Sequence, residues 1–279
     1  MYTADPLDGA VGPGGNLNIL ATPGIGQVFD TGQSGCGNPN TTTTSGCTGF
    51  YRRTDQTIWY ESPNWSGFSF EVDYTLSAFK TTSAGTGNDT NPTILSVGGK
   101  YAPEGAPYYV DLAFEQHKDM FGLNQIGNFY GVATTGATGS TDTGIQVGGG
   151  WTFGDLALHA RYEQLKYKDD GVTSFFDEYK RSAYWFGAKY NLPSGYVGGE
   201  IGVAKDGQAN GGGTTFDDTG ATLIAAGYFH NLSKQSQLQF IVSQTSNKDH
   251  AAYAGIGSPN GGVQGADHSV LHVGLKHTF

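Results

Sequence analysis

At 279 residues the chain is long enough for one large domain or a barrel. Its net charge of -10 excludes a nucleic-acid partner bound through a basic stripe, and its charged content of 14% excludes disorder driven by charge. Apolar residues reach only 37%, below the roughly 45–50% of a packed globular domain, while Gly is the commonest residue at 45 and aromatics make up 13%.

Residues 1–54 carry no sustained period and are rich in Gly, Pro, Thr and Asn, which predicts a long loop. Loops of that size are uncommon inside a compact domain and usually functional. Cys36 and Cys47 lie in this stretch at a spacing that fits no zinc or CxxC pattern. A local disulfide of an oxidising compartment is expected, the alternative being two unpaired thiols. The start, Met1 to Pro6, has neither the basic residues nor the apolar core of a signal peptide.

From Asp55 onward the chain alternates with period two. Phe68, Phe70, Val72, Tyr74 and Leu76 share one face of a predicted strand, with Ser69, Glu71, Asp73 and Thr75 on the other. Tyr108, Val110, Leu112 and Phe114 oppose Tyr109, Asp111, Ala113 and Glu115. Leu156, Leu158, Ala160 and Tyr162 oppose Ala157, His159, Arg161 and Glu163. About eleven strands are expected, near 55–61, 67–77, 93–102, 108–118, 143–153, 156–167, 180–190, 196–206, 219–229, 236–246 and 267–279. No apolar run approaches the roughly 20 residues of a spanning helix, but each strand is near the 9–11 residues, or about that, of a tilted spanning strand.

The connections alternate in length: 62–66, 103–107, 154–155, 191–195 and 230–235 are short, whereas 78–92, 119–142, 168–179, 207–218 and 247–266 are long. That is the pattern of an all-β, antiparallel transmembrane β-barrel meander. Glu71, Asp73, Lys100, Asp111, Glu115, His159, Arg161, Glu163, Arg181, Lys189 and Lys276 fall opposite the apolar rows. Because a cationic side chain at the lipid midplane costs about 2–4 kcal/mol, these residues are expected to line a wet lumen. Tyr60, Trp65, Tyr101, Tyr108, Trp151, Phe153, Tyr190, Tyr196, Tyr228 and Phe229 gather near the short turns, as an interfacial girdle would. No helix longer than two turns is expected in 55–279.

Nothing points to catalysis or a cofactor. The chain lacks a GxSxG elbow, an HExxH pair, a P-loop and an EF-hand loop. His268 and His272 share a strand face and His277 falls on the other, which reads as three strand histidines without metal. Glu71 and Asp73 are same-face neighbours, and without a cleft they make a poor acid/base pair.

The last strand, Val270 to Phe279, ends on an aromatic residue and resembles the closing strand of Gram-negative outer-membrane proteins. Residues 227–236, Gly-Tyr-Phe-His-Asn-Leu-Ser-Lys-Gln-Ser, resemble the "GY-x-Y-x-LSKRT" turn of general porins, departing from it at Gln235 and Ser236. Residues 55–68 resemble their "DNSI-x-Y-x-SPNF-x-GF" hairpin. The resemblance covers nearly the whole chain. It implies passive diffusion of small hydrophilic solutes across the outer membrane, a homotrimer when complete, contact with lipid and lipopolysaccharide, and Phe279 read by the barrel-assembly machinery. Family barrels have sixteen strands, so eleven would leave the chain N-terminally incomplete, and the strands at 55–61 and 267–279 would be open edges. Residues 1–54 then correspond to the inward-folded constriction loop and 55–279 to the wall. Asp5 and Asp8 would be the acidic side of the constriction, with Arg52 and Arg53 joining the basic side. Two other readings stay open: a sugar-specific channel using Trp59 and Tyr109, and a secreted soluble glycan-binding β-protein.

Overall fold

The computed structural model describes residues 50, 56–76, 92–129, 137–173, 176–210, 216–253 and 263–279. Cys36, Cys47, Asp5, Asp8, Arg52 and Arg53, with the disulfide and constriction expected of them, lie outside the described residues.

One antiparallel sheet runs in chain order. Its strands are β1 (Thr57–Glu61), β2 (Phe68–Thr75), β3 (Thr93–Tyr101), β4 (Tyr108–Lys118), β5 (Gly139–Phe153), β6 (Leu156–Asp170), β7 (Glu178–Leu192), β8 (Gly195–Ala204), β9 (Gln208–Asn210), β10 (Ala221–Asn231), β11 (Ser236–Asn247) and β12 (His268–His277). Eleven strands form a continuous meander, matching the expected number. β9 lies off this path, against the outer end of β7. Among the described residues no pairing joins β1 to β12, so the two end the sheet. The strands β5 to β7 run several residues further toward the long connections than the period had indicated.

The two tightest turns need glycine. Gly154, at φ +59°, opens the two-residue link between β5 and β6. At Gly195 a Cβ would sit 1.9 Å from the Phe229 carbonyl oxygen, so the β7–β8 turn presses directly on the end of β10.

Alternation holds strand by strand. On β6, Arg161, Glu163, Leu165, Tyr167 and Asp169 are buried, while Leu158, Ala160 and Gln164 between them are exposed. The outward rows carry Leu112, Val147, Leu158, Phe186, Ile201, Ile224, Val242, Leu271 and Leu275, all exposed and apolar. Such a face is stable in hydrocarbon and not in water.

The other face is covered by segments from the long connections. An eight-residue helix, α1 (Gly122–Phe129), lies in the β4–β5 connection, just over the two turns that had been expected as a limit. Its start is held by Ser140 Oγ, which accepts from the Phe121 amide at 2.8 Å, and by Asp142 Oδ2, which accepts from the Gly122 amide at 3.3 Å. A carboxylate at a helix N-terminus offsets both the orphan amides and the dipole. Leu123 and Ile126 pack with Leu165, Tyr167, Phe176, Tyr179 and Phe216 into one buried cluster, which Phe50 joins. A second cluster sets Ala251 and Tyr253 against Trp185, Leu223 and their neighbours. The face is therefore dry toward the long-loop end, where the charge pattern had suggested water throughout. In the same rim Asp206 accepts from Lys248 Nζ at 2.7 Å and from the Gly220 amide at 2.8 Å. Partial burial opposes its ionisation, but these hydrogen bonds outweigh it and hold the carboxyl below its usual range.

The girdle is real for most of its expected members. Tyr60, Trp65, Tyr101, Trp151, Phe153, Tyr190 and Tyr228 are exposed. Tyr108 stacks on Trp151 at 5.3 Å. Tyr196 and Phe229 depart from it: they are buried on the opposite face, stacked at 4.3 Å and 12°, beside Ala225 and Ile241. Val197 and Tyr228 take the outward positions, and successive residues of a strand cannot share a face.

Candidate functional site: the polar inner wall

The inner face is built around glycines on β5. A Cβ at Gly148 would lie 2.9 Å from Arg161 Nε and 2.9 Å from Asp111 Oδ1. At Gly150 it would lie 2.6 Å from Tyr109 Cε1 and 2.7 Å from His159 Nδ1. With no side chain on β5 in the way, residues of β4 and β6 meet across it. Arg161 Nη2 donates to Asp111 Oδ1 at 2.9 Å, and Tyr109 Oη lies 3.0 Å from His159 Nδ1. Contacts that bridge an intervening strand mark this as the concave face, because side chains converge only on the inside of a curve. We expect Gly148→Val to drive Arg161 and Asp111 apart and to cost about 1–3 kcal/mol through overpacking. Urea unfolding of the variant checks this, and a loss of less than a few tenths of that would refute it.

A second ion pair follows. Arg181 Nη2 donates to Glu163 Oε1 at 2.6 Å, and Gln146 Nε2 donates to Glu163 Oε2 at 2.6 Å. Trp185 Nε1 donates to Glu200 Oε2 at 3.1 Å. Lys100 lies over the Tyr109 ring at 4.9 Å, and Lys189 over Tyr196 at 3.9 Å. The expected wall residues thus divide in two. Asp111, Arg161, Glu163 and Arg181 are turned inward but almost fully covered, in mutually neutralising pairs. Lys100, Glu71, Asp73, Glu115, His159 and Lys189 are partly exposed, and Lys276 is exposed.

The acidic members collect on β1, β2 and β4. Glu61 is directly opposite Glu71, and Asp73 is opposite Ser96, which in turn is opposite Glu115. Ser96 Oγ donates to Glu115 Oε2 at 2.6 Å, and His117 Nε2 lies 2.6 Å from Glu115 Oε1. His117 is buried and stacks on Phe50 at 4.3 Å, so Phe50 lies against the inner wall here. Sequence reading had passed over His117, Gln146, Trp185 and Glu200. Each extends a period-two row already recognised or sits among inward glycines, and that was the available signal.

His268 and His272 face inward on β12, with His277 outward, and no group of three or more metal-binding side chains forms among the described residues. Phe279 is fully exposed and meets His277 edge-on at 4.7 Å.

An antiparallel meander with an apolar outer face, an aromatic rim at its short turns and paired charges inside is the wall of a transmembrane β-barrel of the outer-membrane type. The family model for Gram-negative porins matches residues 11–250, and the chain belongs to that family and to the outer membrane. Over 235 residues it is 30% identical to outer membrane porin protein 32 of Delftia acidovorans, an alignment that takes in 81% of this chain and 57% of that one. It is also similar to a solved structure, the anion-selective porin from Comamonas acidovorans, with a TM-score of 0.59 and 26% identity over 80% of this chain and 59% of that one. The chain therefore spans a little over half the length of these relatives.

Proposed function

We propose that this chain forms part of the wall of a water-filled channel for passive diffusion of small hydrophilic solutes and ions. The observation that carries the reading is the sidedness of the sheet: charge and hydrogen bonding inside, exposed aliphatic and aromatic rows outside. The partly exposed inner charges, Glu71, Asp73, Lys100, Glu115, His159, Lys189 and Lys276, are its pore-lining groups in this reading. The buried pairs Asp111–Arg161 and Glu163–Arg181 stiffen the wall behind them. Asp5, Asp8, Arg52 and Arg53 are the constriction residues of this proposal; Phe50, two residues before Arg52, stacks on His117 of the inner wall. Trimerisation and recognition of Phe279 by the assembly machinery complete the proposal.

Low-dielectric walls focus into the lumen the field of the acidic strip and of the inward lysines Lys100, Lys189 and Lys276, so charges of both signs bias permeation. The relative's anion selectivity is carried here only as far as the exposed lysines support it. Glu61, Glu71, Asp73 and Glu115 oppose it. Trp59 stands exposed on the inner side, whereas Trp185, Tyr196 and Phe229 are buried, which leaves little of a continuous aromatic track for sugars.

Planar-bilayer recording under a salt gradient tests the proposal. Replacing Glu71 and Asp73 together, with Gln and Asn respectively, is expected to move the reversal potential toward anions. An absence of conductance from the protein in its native assembly would sink the channel reading. An unchanged reversal potential would remove these two residues from the lining.

A further inference from the structure

The outer face carries a groove across its apolar belt, with a volume of about 870 Å³. Two outward rows wall it. One runs from Val110 through Gly149, Ala160, Phe186 and Ile201 to Ile224. The next, toward the short turns, runs from Tyr108 through Trp151, Leu158 and Ala188 to Gly199. Side chains of the row between them, Tyr109 to Ala225, point inward, so backbone forms the groove's floor. Gly149, Ala160, Ala188 and Gly199 leave it open, while Trp151, Leu158, Phe186, Ile201 and Ile224 stand exposed along its sides.

The groove runs from β4 to β10, five strand spacings or about 24 Å. It is not level. Val110 lies two residues from Tyr108, the short-turn end of β4, whereas Ile224 lies seven residues from Asn231, the short-turn end of β10. That difference of five residues raises the groove by about 13 Å at a strand tilt near 40°, close to half of a hydrocarbon core about 30 Å thick. Its low end sits at the aromatic rim, where Tyr108 stacks on Trp151, and its high end lies in the middle of the belt. Beside the low end, the β3–β4 and β5–β6 turns carry Glu104 and Asp155, both exposed and the only charged residues of 102–107 and 154–155. Short turns of outer-membrane barrels face the periplasm, and the leaflet on that side is phospholipid.

We infer that this groove holds an acyl chain of a periplasmic-leaflet phospholipid whose headgroup carries an amine, as ethanolamine does. The inference rests on the outer-membrane location and the facing of the strands, and not on the channel reading. A groove that leaves the aromatic rim and ends in mid-belt follows the path of an acyl chain hanging from its headgroup. Its apolar sides and its depth bury that chain on three sides, where a smooth wall would touch it on one. At the rim, the Trp151 and Tyr108 rings sit at headgroup depth, where their polar edges meet the phosphate and glycerol oxygens. Glu104 and Asp155 attract the ammonium group of a zwitterionic headgroup and repel a headgroup of net negative charge. The turns thus choose the lipid and the groove holds its chain.

The test is native mass spectrometry of the full chain, released from detergent micelles that contain equal amounts of phosphatidylethanolamine and phosphatidylglycerol. The parent chain is expected to retain phosphatidylethanolamine in preference. Ala160→Leu with Ala188→Leu fills the groove from its own walls and is expected to weaken retention about tenfold, the worth of a few methylenes no longer buried. Val242→Phe, outward on β11 and outside the groove, is expected to leave retention unchanged. Glu104→Gln with Asp155→Asn, on exposed turns, is expected to erase the preference between the two lipids. Equal retention of both lipids by the parent would overturn the inference whatever the variants do. So would a groove-filled variant that retains lipid like the parent, or a turn variant that keeps the preference. A groove-filled variant that keeps its lipid but changes its oligomeric state would put a second copy in the groove and overturn the inference as well.

Discussion

Arg181→Ala is expected to destabilise the protein by about 3–5 kcal/mol, more than any other single change at the inner wall. Both side chains of the Arg181–Glu163 pair are 1% exposed, so removing the guanidinium leaves a carboxylate without water and without its counter-charge. Gln146 still donates to that carboxylate, but one neutral amide does not replace an ion pair. Arg181 also faces Tyr253 at 5.8 Å, so the loop that carries Tyr253 loses a contact as well. The combined change Glu163→Leu and Arg181→Met should recover most of the loss, because an apolar pair of similar volume removes both desolvation costs together. Urea unfolding in detergent, run as a double-mutant cycle, measures these terms. A loss below about 1 kcal/mol for Arg181→Ala would show that water reaches the pair and that the dry packing around it is wrong.

Val147→Arg should cost about 2–4 kcal/mol in a bilayer, whereas Thr143→Arg should cost about 0–1 kcal/mol. Both positions face outward on the same strand, and only their depth differs. Val147 stands between Leu112 and Tyr162 in the middle of the apolar belt. Thr143 stands between Gln116 and Lys166 in the polar row above it. A guanidinium at Val147 must either stay in hydrocarbon or drag water and headgroups toward it. At Thr143 it reaches the headgroup layer without moving. Folding into lipid vesicles, followed by tryptophan fluorescence across a urea series, gives both values. Equal costs would mean that the belt ends elsewhere.

The sequence by itself determined the number of wall strands, their order, the facing of their side chains and the side on which the long connections lie. Each of those is a local property. Alternation has a period of two residues, and the length of a connection can be counted along the chain, so a row such as Leu156, Leu158, Ala160 and Tyr162 declares its face without reference to any other strand. Membership of the porin family was legible for a related reason, since the hairpin at 55–68, the turn at 227–236 and the terminal strand are each contiguous stretches. Only the tertiary structure decided which inner charges meet water and which are sealed in pairs. Arg161 and Asp111 are fifty positions apart in the chain and meet only because Gly148, on the strand between them, leaves a gap. Period two placed Tyr196 and Phe229 near a rim but did not choose their side, because each has an apolar or aromatic neighbour equally fit to face lipid. The choice fell when Ala225, on the same strand as Phe229, and Ile241, from β11, closed around them. The short helix at Gly122–Phe129 was hidden for the same reason. It is too short to be stable alone, and it forms where Ser140 and Asp142 hold its first amides and the inner wall buries Leu123 and Ile126.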